Sequence, residues 1–200
     1  MVNDTNLTER ENKIYIQYQE VIAPLIAVLE VRDGNYPIEI FNEIRAIFTH
    51  LSRFKIQSSE QDLISAERHV KRAILDCYKY MCVSIKEQMV RFREEYRNVD
   101  LGIADNGMFL VTLNRLQKEA DESFVSAKKK ELVGKISEEE LFGLFETAYI
   151  KQNDLEAYLE NSEEAILFAS SHSHKRDRIT MISITVTVIS ILFAIIGFLH

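Results

Sequence analysis

The 21 residues from Ile179 to Leu199 (ITMISITVTVISILFAIIGFL) carry no charge, and 15 of them are apolar. As a helix rising about 1.5 Å per residue they reach about 32 Å, matching a hydrocarbon core about 30 Å thick. A single transmembrane helix over 179–199 is the expected element, and whatever precedes it folds as a tethered body. Lys175, Arg176 and Arg178 stand just before the run and only His200 follows it. The positive-inside rule then places residues 1–178 in the cytoplasm. The polar opening, MVNDTNLTERENKIYIQ, has no apolar stretch of the signal-peptide kind.

Charge limits what the body meets. Outside Lys175, Arg176, Asp177 and Arg178, 21 of the 24 basic and 30 of the 31 acidic residues lie in 1–170, a net charge of −9. A surface of that sign is repelled by anionic lipid and by nucleic acid, so no direct nucleic-acid binding is expected. Only the basic cluster Lys175, Arg176 and Arg178 is drawn to lipid headgroups, at roughly 1 kcal/mol per residue. Cys77 and Cys82 suit a reducing compartment.

Helical periodicity dominates the rest, and six glycines and two prolines leave few breaks. A first helix opens at the capping box Thr8-Glu9-Arg10-Glu11, with Ile14, Tyr18, Val21, Leu25 and Leu29 facing inward and Pro24 as a kink. Pro37 suits the first turn of a second, with Ile40, Phe41, Ile44, Ile47, Phe48 and Leu51 inward. A third runs from about Ser58 to Arg97 behind a near-heptad stripe of Leu63, Val70, Ile74, Cys77, Met81, Ile85 and Met89. A fourth carries Phe109 to Ala127 and ends near Gly134. Ser137-Glu138-Glu139-Glu140 caps a fifth, which has no proline or glycine from Leu144 to Ile196 and is expected to weaken only at Ser170–Ser173. The fold class is therefore all-α: an elongated antiparallel helical bundle or coiled coil over 1–170, a basic juxtamembrane hinge over 171–178 and the span over 179–199.

Within the span, Thr180, Ser183, Thr187, Ser190, Ala194 and Gly197 recur at spacings of 3, 4, 3, 4 and 3, which aligns small residues along one side. Small residues let helices approach closely, and hydroxyls can bond across the contact. The pattern predicts self-association of the spans into a homo-oligomer. The competing account is that Ser and Thr bond back to their own helix, leaving a plain anchor.

Catalytic patterns are sparse. There is no Gly-rich phosphate loop, no G-x-S-x-G and no H-E-x-x-H. His69, Cys77 and Cys82 are spaced by 8 and 5, which does not bring three ligands onto one helical face. They read as core thiols beside a histidine, so neither a metal site nor a cofactor is expected. The segment Arg45-Ala46-Ile47-Phe48-Thr49-His50 has an R-x4-H spacing similar to the signature of the HEPN family of helical ribonucleases. That resemblance implies His50 as acid or base and Arg45 as phosphate clamp, contributed from two paired subunits. Members usually carry a polar residue after the arginine, where Ala46 stands here. Both side chains also suit boundary positions whose stems lie along the apolar face.

Two further segments, Asn42 to Leu51 and Glu67 to Tyr78, resemble parts of small membrane-anchored helical proteins encoded beside bacterial antiphage defence genes. The resemblance implies a non-enzymatic effector or accessory protein. A protein partner would restrain or trigger it, and clustering of its spans would permeabilise or depolarise the membrane. The alternative is a membrane-tethered HEPN-type ribonuclease using Arg45 and His50.

Overall fold

A computed structural model describes the backbone of residues 4–34 and 36–198, and the side chains of 6–34, 36–173, 175–176, 179–181 and 183–187. Among the described residues every element is helical and no strand occurs. The α-helices are α1 (Asp4–Gln17), α2 (Ala23–Asp33), α3 (Ile38–Gln57), α4 (Glu60–Glu95), α5 (Met108–Val133), α6 (Glu138–Asn161) and α7 (Glu163–Phe198). By packing, the chain divides into two units, Met1–Met89 with Gln117–Asp154 and Val90–Leu116 with Leu155–His200.

In the first unit α4 is the central helix. The stripe read from the sequence is buried from Leu63 through Val70, Ile74, Cys77, Met81 and Ile85 to Met89, and Ala66, Ala73 and Cys82 extend the burial to neighbouring faces. Cross-helix contacts give the directions. His50 meets Asp62 and Tyr80 meets Glu39, so α3 runs antiparallel to α4. Lys79 to Glu131 and Lys86 to Asp121 make α5 antiparallel as well. Lys71 to Glu139 and the stacked rings of Tyr78 and Tyr149 make α6 parallel to α4. Arg10 to Glu67 and Ser84 to Asp33 make α1 and α2 parallel to it too.

Pro24 has no N–H for a normal helical bond, and its ring would press on the carbonyl four residues back. The chain relieves this with a π-helical turn over Tyr18–Ile22, in which the Ala23 amide donates to the Tyr18 carbonyl. The kink expected at Pro24 is this turn. At the other end α2 closes on Gly34, at φ +62°, whose amide donates to the Glu30 carbonyl.

In the second unit Phe109, Leu113, Leu155, Ile166 and Ala169 are buried. The Phe109 ring stacks on Tyr158 at 5.8 Å and meets Phe92 edge-on at 6.3 Å. An irregular 3₁₀ segment, Leu101–Gly107, joins α4 to α5. Just before it, the Asp100 amide donates to Ser173 Oγ at 2.9 Å and the Asp100 carboxylate accepts from Arg176 at 3.1 Å.

Four expectations change. The Thr8 capping box is not a helix start, because α1 begins at Asp4 and Glu11 is buried against Lys55 and Tyr15. The Ser137 box does form, with the Glu140 amide donating to Ser137 Oγ at 3.1 Å. Phe41 and Phe48 are exposed rather than inward: Ile40, Ile47, Leu51 and Phe54 fill the buried face of α3, and the two rings make edge contacts with Tyr36 and Tyr18. The break after α6 falls at Ser162, not at Ser170–Ser173, and the segment 171–178 is a helical part of α7. Lastly, the expected span over 179–199 lies mostly outside the residues whose side chains are described, and a single C-terminal span is not borne out among those that are. Among the described residues the stretch Asn6–Asp33 is long and apolar enough to cross a membrane. Its Ile14, Ile22, Leu25 and Leu29 are buried in the core of the first unit, while only 22% of the apolar window is buried.

Candidate functional site

Ser58, at φ +53°, ends α3 in the left-handed conformation and turns the chain back into α4. Glu43 and His50 are seven residues apart on α3, as are Asp62 and His69 on α4, so each pair lies on one helical face two turns apart. The antiparallel hairpin cross-matches them. His50 Nδ1 lies 2.8 Å from Asp62 Oδ1, and His69 Nδ1 lies 2.6 Å from Glu43 Oε2. The two imidazoles stack with centroids 5.3 Å apart and planes 18° from parallel.

An ionised carboxylate can only accept. Each Nδ1–H therefore donates to its acid, which orients the ring and leaves Nε2 outside the pair. The hydrogen bond from His50 holds the Asp62 carboxyl below the usual carboxylate range, and the Ser59 hydroxyl and Arg53 add to that shift. All four side chains are partly accessible. The arrangement holds two stacked imidazoles, each oriented by an acid on the opposite helix.

Arg45, the other half of the R-x4-H pair, is exposed and lines a shallow depression with Phe41, Phe48 and Arg53. Five residues of helix rotate it about 140° away from His50, so within one chain the two serve different faces. His69 is bound to Glu43 rather than turned toward the cysteines. Cys77 and Cys82 are buried free thiols, each pushed up to about 12 by burial.

On α7 the hydroxyls of Thr180 and Thr187 donate to the carbonyls of Arg176 and Ser183, at 2.9 Å each. Thr185 does the same to Met181 at 2.8 Å. The side chains of Ser190, Ala194 and Gly197 lie outside the described residues, as does that of Arg178. Lys175 is exposed. Arg176, read from the sequence as a headgroup contact, is paired with Asp100, both side chains remaining largely exposed.

Sequence reading passed over the four-residue cluster, although its signal was present as an E-x6-H on one helix and a D-x6-H on the next. No protein-family model, no curated protein and no solved structure matches this chain.

Proposed function

We propose that this chain is a membrane-anchored helical protein, held by the helix over 179–199, whose acidic body lies in the cytoplasm and whose spans associate side by side. One observation carries the reading. Every described side chain from Ile179 to Thr187 is exposed, with Ile179 at 68%, Met181 at 67%, Ile184 at 54% and Val186 at 57%. At 100° per residue those four apolar positions fall on two opposite faces of α7, with Ser and Thr residues between them, so the helix leaves its own fold with both apolar faces uncovered. Uncovered apolar faces need lipid or protein about them, since each such side chain is worth roughly 1.5–3 kcal/mol on leaving water.

Self-association follows from the small-residue line that begins at Thr180, Ser183 and Thr187. Thr180 and Thr187 already donate to their own helix, so attraction comes from close backbone approach more than from hydroxyls bonding across helices. A lone span encloses no channel, so an effector that permeabilises the membrane acts through clusters, and a protein partner on the acidic body sets when they form. The test is crosslinking in native membranes of the full chain and of a variant with Ser183→Leu and Thr187→Leu. Oligomers that vanish in the variant support the reading. Monomers only, in both, reject association.

A ribonuclease reading has one observation in its favour, the orientation of His50 by Asp62 through Nδ1. The net charge of 1–170 stands against it. RNA cleavage or toxicity that persists in His50→Ala rejects it.

A further inference from the structure

Along α4 the residues Arg68, Lys71, Arg72, Leu75, Asp76 and Lys79 fall at i, i+3, i+4, i+7, i+8 and i+11, one continuous stripe. The stripe borders a cavity of about 470 Å³ closed on the other side by the first two turns of α6. That volume is within the ~300–1,000 Å³ of small-molecule sites. The cleft has three chemically distinct parts. Its floor is apolar, made by Ile74, Leu75, Leu141 and Phe142. Its rim is cationic, and Arg68 has no ion-pair partner among the described residues. Between them sits Asp76.

The rim cations are weakly committed. Lys71 to Glu139 at 3.5 Å and Arg72 to Glu138 at 3.6 Å are long contacts between exposed side chains, worth little in water. A bound anion would replace the two glutamates at small cost. Asp76 is poorly served as well. Its cation, Lys79, is 3.6 Å away and held more closely by Glu131 at 2.6 Å. Burial raises the Asp76 carboxyl above its ordinary range, with the charges of Glu43 and Glu39 adding to the effect. A half-buried carboxyl beside an apolar floor is best satisfied by an N–H donor carried on an apolar body.

We propose that this cleft binds a nucleoside phosphate, with the base against Leu75 and Phe142, a ring or amino N–H donating to Asp76, and the phosphate on Arg68, Lys71 and Arg72. Fatty acids, sugar phosphates and bare polyphosphates each miss at least one part of the cleft. A fatty acid has an apolar body and a charge but no donor for Asp76. A sugar phosphate or a bare polyphosphate has nothing for the apolar floor. A second cavity, of about 380 Å³, shares Arg68, Lys71, Glu138 and Glu139 with the first and reaches Lys13 on α1. It gives room for more than one phosphate. The proposal is independent of the membrane reading, and neither fails with the other.

The test is calorimetric titration of the full chain in detergent with ATP, GTP, CTP and UTP, and with adenosine and sodium tripolyphosphate as half-ligands. Saturable binding of at least one nucleotide is expected, with both half-ligands at least tenfold weaker. Arg68→Ala with Arg72→Ala is expected to weaken nucleotide binding at least tenfold. Both side chains are exposed, so the fold is retained, as circular dichroism would verify. Asp76→Asn, which keeps the shape, is expected to change the ranking of the four bases. No saturable binding by any nucleotide, tripolyphosphate binding as tightly as ATP, or binding indifferent to the arginine changes would each overturn the proposal.

Discussion

His50 on α3 and His69 on α4 lie ring on ring, 5.3 Å between centroids and 18° from parallel, each tied through Nδ1 to an acid on the opposite helix. The pairing is reciprocal: Asp62 of α4 holds the histidine of α3, and Glu43 of α3 holds the histidine of α4. Two seven-residue spacings and one tight turn at Ser58 are enough to produce it. The cluster therefore locks the register of the hairpin.

Asp62 gives the hairpin a defined acid response. Its carboxyl is depressed in the folded protein, first by the His50 hydrogen bond. A depressed acid contributes stability above its unfolded pKa, about 3.9, and loses that contribution as pH falls through the lower folded value. Asp62→Asn should therefore lower the denaturation midpoint at neutral pH and flatten the acid limb below about pH 4. Denaturant titrations from pH 2 to 7 check it. Parallel curves for the two proteins would contradict this role for Asp62.

Two helix ends respond in opposite senses. Gly34 sits at φ +62° with open space where a Cβ would go, so Gly34→Ala costs only left-handed strain, about 1–2 kcal/mol. Ser58 holds a similar conformation at φ +53° with a side chain in place. Ser58→Gly should stabilise by about 0.5–1 kcal/mol, the greater chain freedom of glycine when unfolded offsetting part of the relief. Shifts of the same sign in the two variants would disprove the capping account.

Cys77 and Cys82 are buried, and desolvation lifts both thiols to about 12. The thiolate is the reactive form, so neither should react with a disulfide reagent at pH 8 while the chain is folded. Both should react fully in denaturant. Rapid native labelling of either would mean that α4 opens far more readily than a central helix should.

How much of this was legible in the sequence depended on whether one helix or two determined it. The α4 stripe from Leu63 to Met89, the Gly134 stop and the Ser137 cap were readable because each is fixed by neighbours within a few turns. Thr8 carried the same capping pattern as Ser137, but Glu11 had a longer-range use against Lys55 and Tyr15. The break at Ser162 had no proline or glycine to announce it. Phe41 and Phe48 look like core residues until Tyr36 and Tyr18 are seen to reach them on the surface. The histidine cluster and the α4–α6 cleft are properties of helix pairs. The histidines, acids and rim cations are polar, so no hydrophobic period draws attention to them, and only the cross-helix register shows which acid meets which base.

The most direct measurement concerns α7. Membranes from cells expressing the full chain, or a variant with Ile189→Arg and Leu192→Arg, are washed in alkaline carbonate and the pellet and supernatant compared. Two arginines near the centre of a span cost roughly 2.5–3.5 kcal/mol each on insertion scales. The expected result is wild-type chain in the pellet and the double variant released. Wild-type chain in the supernatant, or equal retention of both, would contradict an anchor formed by residues 179–199.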